Sequence, residues 1–379
     1  MSHLFTPLPL RDVTLRNRVV VAPMWQYAGV GGMPTDWHLM HLGRFADGGA
    51  ALVFQEATSV ERRGCGTLGD VGIWDDSFVE PLSRLARIMR DNGAVPGIQI
   101  GHSGRKARMK TPMAGRGPLE RTPGIPDWDD WEPIAPSPVP LKEGFEPPRE
   151  MTTQDIDDVV SAFGAAAHRA ARAGYQALEI HAGHGYLLHQ FLSPLTNRRK
   201  DRYGGTLENR TRIVLEVAEA VRESWPDHLP LFIRLSCVDN AGWELSDTIS
   251  LVRELASLGV DVFDCSAGGL VGSPVRTGAN LTYGYQVEYA RAVRQATGVR
   301  TMAVGLLVHA QHAEQVVANG DSDLIAIARE ALHNPNWPLD AALKLKVEDP
   351  YSLTAPTSGF WLRQRAAKIP GFVPSTQAP

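Results

Sequence analysis

Two histidines and a tyrosine leave an apolar run within six residues. Ala177-Leu178-Glu179-Ile180 is followed by His181-Ala182-Gly183-His184-Gly185-Tyr186. Imidazoles and a phenol at that spacing gather proton donors around an oxygen that gains negative charge during a reaction. A second apolar run, Leu231-Phe232-Ile233, ends in the fixed cation Arg234. The other residues at predicted strand ends are Pro23, Met24 and Trp25 with Tyr27 just beyond, then Glu56, Ala57 and Thr58, then Gln99 and His102. Ser266 to Gly269, Gly305, Ala328 and Arg329 complete the set. It is poor in carboxylates and rich in amides, imidazoles, phenols and guanidinium groups. That disfavours a glycosidase, which needs two carboxyls across the scissile bond, and a hard-cation site. It favours an anion, or a group that becomes one, and points to a flavin enzyme before a metal enzyme. The loops around Gly305 and Arg329 occupy the usual phosphate cradle of a barrel, where glycine admits backbone N–H groups and arginine adds a charge-assisted fork.

Plainer roles stand beside these. His181 and His184, at i and i+3, could ligate zinc, but no third ligand is evident. Either could be a hydrogen-bonded structural histidine. Arg234 could pair with an acid inside the barrel, and Gln99 could cap a strand end. The run Arg198-Arg199-Lys200-Asp201-Arg202 fits a solvated or salt-bridged loop.

The elements that must position these groups are legible. Eight β-rich runs occur at 18–24, 51–57, 95–101, 177–181, 231–236, 260–266, 301–305 and 323–328. Most are nearly continuous apolar stretches, as parallel strands buried on both faces are. Helical patterns at 38–47, 77–92, 152–173, 207–224, 246–258, 286–297, 309–318 and 330–345 separate them. Thr152 to Asp155 supplies cap oxygens and an early acid. Gly93, Gly174, Gly259 and Gly320 stand where helices must turn out through positive φ. Eight alternating pairs predict an α/β fold, a (β/α)8 TIM barrel. An open doubly wound sheet would want a glycine fingerprint after its first strand, and Ala22 to Tyr27 is nothing like one.

Residues 1–350 are expected to form the barrel. Within them, the Pro- and Trp-rich segment 107–150 is an excursion of the third βα loop and a candidate lid. Residues 351–379 are a tail whose Phe360-Trp361-Leu362 triplet could dock on this barrel or on a neighbouring subunit. The chain of 379 residues is 43% hydrophobic and 21% charged, with net charge −4. These values fit a globular protein with a sizeable core and give no electrostatic case for nucleic acid. No apolar run approaches the roughly 18 residues of a membrane span, and the N-terminus has no hydrophobic signal core. Cys65, Cys237 and Cys265 fit no metal spacing and suit buried positions in a reducing cytoplasm.

Longer segments carry a specific resemblance. LRNRVVVAPM (15–24), GMPTDWHLMHLGRFA (32–46), GIQIGHSGRKA (97–107), HAGHGYLLHQFLSPLTNRRKDRYGGTLENR (181–210), LPLFIRLS (229–236), TYGYQVEYA (282–290), TMAVGL (301–306) and LIAIARE (324–330) span nearly the whole chain. The sequence resembles the old yellow enzymes, FMN-dependent NAD(P)H:ene oxidoreductases, and is most similar to their bacterial thermophilic-like branch. The resemblance implies FMN in the barrel mouth, reduced by NADPH or NADH in a ping-pong cycle, and a small-molecule substrate. It implies that Ala22, Pro23, Met24 and Trp25 line the isoalloxazine and that Ala57 and Gln99 contact its pyrimidine side. Arg234 would lie near N1 and the C2 oxygen, and Gly305, Ala328 and Arg329 would hold the phosphate. His181 and His184 would bind the enone carbonyl, Tyr186 would donate the proton, and Tyr27 would add a contact to the substrate oxygen. A homodimer or homotetramer is implied, without the cysteine-rich segment and added dinucleotide domain of the larger iron–sulfur relatives. Two positions depart from the branch: Trp25 stands where cysteine is usual, and Ala328 where glycine often precedes the arginine. Trp25 keeps open a related dehydrogenase or desaturase with a specialised substrate, and a low-turnover flavin-binding protein. A metal-dependent barrel hydrolase is the remaining alternative.

Overall fold

The computed structural model describes residues 2–272, 281–369, 371–374 and 376. Eight parallel strands close into a barrel. They are β1 (Val19–Val21), β2 (Leu52–Ser59), β3 (Val95–Gly101), β4 (Ala177–Ala182), β5 (Leu231–Ser236), β6 (Val262–Ser266), β7 (Arg300–Ala303) and β8 (Leu324–Ile327). Closure comes from β8 on β1, where Ile325 pairs with Val19 and Ile327 with Val21. The continuous apolar runs are explained by burial on both faces: every residue of β2, β4 and β6 is buried.

Helices α1 (Asp36–Asp47), α2 (Val79–Asp91) and α3 (Thr153–Arg172) follow the first three strands. On α2 the buried residues are Leu82, Leu85, Ala86 and Met89, the i, i+3, i+4, i+7 stripe that a helix lays on a sheet. α3 opens with the expected cap: Thr152 Oγ1 accepts from Asp155 N at 3.1 Å, and Asp155 Oδ2 accepts from Thr152 N at 2.8 Å. It ends at Gly174, whose φ of +86° a side chain would resist. The short α4 (Leu187–Leu192) was not expected, because all six of its residues are buried and leave no period to read. α5 (Leu207–Ser224), α6 (Leu245–Ser257), α7 (Val287–Thr297) and α8 (Ala310–Ala318) follow in turn.

The single helix expected at 330–345 is two, α9 (Arg329–His333) and α10 (Trp337–Lys344). Pro335 drives the preceding Asn334 out of helical space, to φ −126° and ψ 89°. Pro338 falls in the first turn of α10, where a missing N–H costs little. An N-terminal hairpin, Leu8–Leu10 with Val13–Leu15, was also unforeseen. Asp12 N donates to His228 O, and Arg11 pairs with Asp261 at 2.8 Å. Both partners precede strands, so the hairpin lies at the barrel's N-terminal end, opposite the chemistry. The excursion 107–150 is irregular apart from a 3-10 turn at Pro112–Ala114 and a two-residue parallel pairing of Ile134–Ala135 with Arg149–Glu150. After the barrel, α11 (Pro356–Lys368) carries Phe360 and Trp361, which are 50% and 66% exposed.

Candidate active site

The C-terminal ends of the strands surround a cavity of about 340 Å³. Its wall contains Ala22, Pro23, Trp25, Tyr27, Ala57, Gln99, His181, His184, Tyr186, Arg234, Gly305, Ala328 and Arg329. Of the other strand-end residues singled out, Glu56, Thr58, His102 and Ser266 to Gly269 are not in this wall, but nearly every site residue that the resemblance implies is. Met24 is the exception: it packs on the hydrophobic core instead, and its carbonyl accepts from Gln26 Nε2 at 2.8 Å.

Ala57 reaches the cavity through an irregularity. The pairing of β2 with β3 shifts register between Gln55 and Thr58. A bulge re-aims side chains at a barrel rim, and here Glu56 turns away toward His38, at 3.4 Å. Trp25 crosses the cavity wall. Its indole N–H donates to Ala57 O at 3.0 Å, and its ring meets Tyr186 edge-on at 5.1 Å and Tyr27 at 6.2 Å. The large ring therefore shapes the space next to the proposed proton donor.

His181 and His184 stand edge to face, 5.2 Å between centroids, and Tyr186 lies 5.0 Å from His181. Burial lowers both imidazoles well below their usual range, and Arg234 lowers them further. Both are neutral at pH 7, each with one N–H to donate. Burial pushes the Tyr186 phenol far above its usual value and Tyr27 up to about 12, so both keep their protons. His184 is gripped from two strands. Its backbone N–H donates to Ser236 Oγ at 2.8 Å, and its ring Nε2 lies 2.9 Å from Ser266 Oγ. The grip holds a left-handed φ of +56°, a conformation that costs a non-glycine residue about 1–2 kcal/mol. Lys106 adds a clamp: Nζ donates to His184 O and Gly269 O, each at 2.6 Å, and lies 4.9 Å over the Tyr186 ring.

Beneath the histidines, the strand tops are less poor in carboxylates than their sequence suggests. Arg234 Nε lies 3.1 Å from Asp264 Oδ2, and Gln99 Nε2 donates to Glu179 Oε1 at 2.8 Å. Arg234 therefore both lines the cavity and pairs with an interior acid. Burial raises both carboxyls; the Asp264 charge raises Glu179 further, against the pull of Arg234. Glu179, Asp264, Ser236 and Lys106 were missed as site residues. The signal was an acid inside an otherwise apolar strand, as in Ala-Leu-Glu-Ile and Val-Phe-Asp-Cys. Tyr285 and Gln286, before α7, also line the cavity from a loop that no strand-end rule selects.

The far end suits a phosphate. Gly305 has φ +112°, and a Cβ there would come within 3.2 Å of Gln286. The Arg329 side chain has no ion pair among the described residues. With the Arg234 guanidinium at the opposite end, ion-paired to Asp264, the cavity offers a cation for each anionic part of FMN, and its residues fit that group. Among the described residues no cluster of three or more His, Cys, Asp or Glu could hold a metal, and no helix is long and apolar enough to cross a membrane.

Comparison with known proteins agrees. Residues 3–348 match the NADH:flavin oxidoreductase / NADH oxidase family. The chain is 39% identical over 348 residues to an NADPH dehydrogenase of Geobacillus sp. (strain WCH70), covering 91% of this chain and 95% of that protein. Morphinone reductase superposes with TM-score 0.75 at 26% identity, over 94% of this chain and 93% of the other. Its complex with tetrahydroNAD gives 0.74 at the same identity and coverage. A 2-naphthoyl-CoA reductase complex shares the fold, with TM-score 0.80 and 24% identity; this chain covers 54% of its length. The chain belongs to the NADH:flavin oxidoreductase family of old yellow enzymes and is an FMN-dependent NAD(P)H oxidoreductase built on a TIM barrel.

Proposed function

We propose that this enzyme reduces carbon–carbon double bonds conjugated to an electron-withdrawing group, enones first and nitroalkenes second. The observation that carries this is the neutral His181–His184 pair beside a fully protonated Tyr186 at one end of a cavity fitted for FMN. When bound, FMN would supply the hydride-transfer chemistry that links NADPH or NADH to the alkene. His181 and His184 each donate an N–H to the carbonyl oxygen, which favours the electron-rich form that develops as the alkene accepts hydride. Tyr186 delivers its proton to the carbon next to the carbonyl. Tyr27 donates a further hydrogen bond to the substrate oxygen. Arg234 sits where negative charge would collect on the pyrimidine side, with Gln99 and Ala57; Gly305, Ala328 and Arg329 hold the phosphate; Ala22, Pro23 and Trp25 form the wall. Trp25 narrows the entrance to this wall and supports a second reading, a dehydrogenase of one specialised substrate in the same cavity.

The test is Tyr186→Phe, followed one half-reaction at a time. Reduction of the flavin by NADPH should persist. Reoxidation by 2-cyclohexenone should fall about 10²- to 10⁴-fold, the usual share of a general acid. Equal rates in both half-reactions would remove Tyr186 from the mechanism.

A further inference from the structure

A second cavity, of about 1320 Å³, adjoins the first. Trp25, Tyr27 and Tyr186 line both, so one wall of three aromatic rings separates inner pocket from outer chamber. The excursion 107–150 provides much of the outer wall, through Met109, Leu141 and Phe145 among others, and the loop after β6 adds Leu270 and Val271. The chamber is braced. Arg105 donates to Pro140 O at 3.3 Å and to Leu270 O at 2.9 Å, tying the excursion to the β6 loop from a nearly buried position.

Its charges are uneven. Arg116, Lys142 and Arg198 line the chamber, and among the described residues no side-chain hydrogen bond or ion pair engages any of them. Lys110 is bound to Glu120 at 2.9 Å. Of the two carboxylates in the wall, Asp70 is satisfied by Gly66 N and Thr67 Oγ1, each at 2.6 Å, which leaves Glu143. Three uncommitted cations therefore ring a mostly apolar space. Arg116 is close enough to Tyr27 and Tyr186 to act on both phenols, against the larger upward push of burial. The anion-attracting end thus lies within electrostatic reach of the proton donor.

Pockets for drug-sized ligands measure about 300–1,000 Å³, and the outer chamber exceeds that range. The inner pocket is the space FMN would take; the outer chamber beyond it is more room than a small cyclic enone fills. We propose that the outer chamber is a substrate-binding subsite for an elongated, apolar-bodied molecule that carries a carboxylate or phosphate remote from its reducible alkene. The alkene enters between the histidines and Tyr186, the apolar body lies along Met109, Leu141 and Phe145, and the anion reaches Arg116 and Arg198. This assignment rests on the proposed alkene reduction for its orientation and on the chamber alone for its anion preference.

The test uses the holoenzyme and two aryl enones, 4-(3-oxobut-1-enyl)benzoate and its methyl ester, with 2-cyclohexenone as the short substrate. Arg116→Ala/Arg198→Ala changes two exposed residues outside the catalytic set. The wild type should take the carboxylate with the lower KM. In the double variant that KM should rise about 3- to 10-fold, as the loss of two exposed ion pairs implies. The ester and 2-cyclohexenone should stay within about twofold, and the carboxylate's advantage should shrink as salt is raised. Equal KM for acid and ester in wild type and variant would overturn the proposal. A rise in the NADPH dissociation constant with no change for the carboxylate would also overturn it, by giving the cations to the dinucleotide's phosphates. Calorimetric titration with the saturated 4-(3-oxobutyl)benzoate needs no turnover. Binding weakened in the double variant supports the chamber even if no enone is reduced, which would defeat the alkene-reductase proposal alone.

Discussion

Ser266 should decide which nitrogen of His184 carries the proton. Its single hydroxyl proton has two claimants, Leu235 O at 3.1 Å and His184 Nε2 at 2.9 Å. If the proton goes to Leu235, the hydroxyl accepts from Nε2–H, and Nδ1 is left bare toward the cavity. A bare nitrogen repels a carbonyl oxygen. If it goes to Nε2, the imidazole carries its proton on Nδ1 and can donate to the substrate. Burial keeps the ring neutral, so it cannot protonate both nitrogens and escape the choice. Ser266→Ala removes the partner and leaves a buried ring nitrogen unsatisfied, a cost of about 1–3 kcal/mol. If that cost falls on the state that binds the enone, kcat/KM drops about 5- to 160-fold at 1.36 kcal/mol per tenfold. Reduction by NADPH, which asks nothing of the carbonyl donor, should change by less than about threefold. Stopped-flow measurement of each half-reaction reads both numbers. An unchanged enone half-reaction, or an equal loss in both, would refute the tautomer argument.

Three further outcomes are expected. Trp25→Cys removes the indole hydrogen bond to Ala57 O and the edge contact on Tyr186. Stability should fall by about 1–3 kcal/mol, less than for a fully buried tryptophan, and bulky enones should gain over 2-cyclohexenone in kcat/KM; identical substrate ranking would contradict the narrowing role. Burial alone would raise Glu61, but hydrogen bonds from His102 and Arg63 outweigh it and hold the carboxyl at about 2 against its usual 4.5. An acid depressed in the folded state contributes stability above its unfolded pKa and loses it as pH falls toward the folded value, here between about 4.5 and 2, for at most about 3 kcal/mol. Glu61→Gln should therefore melt lower at pH 7 and show a flatter decline through that window; parallel curves for variant and wild type would argue against the linkage. Finally, α11 presents Phe360 and Trp361 to solvent while Arg363 is held by Asp349 of the same chain at 2.7 Å. Deleting residues 356–379 should lower the mass seen by light scattering if this face joins subunits, and unchanged mass and kinetics would clear the tail of that role.

The barrel was legible because its strands repeat one physical requirement. A parallel strand buried on both faces must be mostly apolar, and 51–57, 95–101 and 177–181 are so apart from Gln55, Glu56, Gln99, Glu179 and the terminal His181. The site was legible because such a fold has one face for chemistry: a residue placed at a strand end, such as His181 or Arg234, arrives there with the strand. What escaped was what strand ends cannot report. α4 was invisible because Leu187 to Leu192 are buried all round. The break at Pro335 was overridden by the apolar spacing on either side. Ser236 and Ser266 matter only because β5 and β6 bring them to one histidine, 52 and 82 residues away in sequence, contacts that no local pattern encodes. The outer chamber depends on how 107–150 folds over the rings, which its proline content did not specify.

The most direct test of the account is anaerobic. The purified holoenzyme is mixed with NADPH while the visible flavin band is followed, and 2-cyclohexenone is added once the band has settled. The account predicts bleaching on the first addition and recovery on the second, with the saturated ketone formed in step with recovery. A flavin that bleaches with NADPH but is not reoxidised by this or any other activated alkene would contradict the proposed reaction.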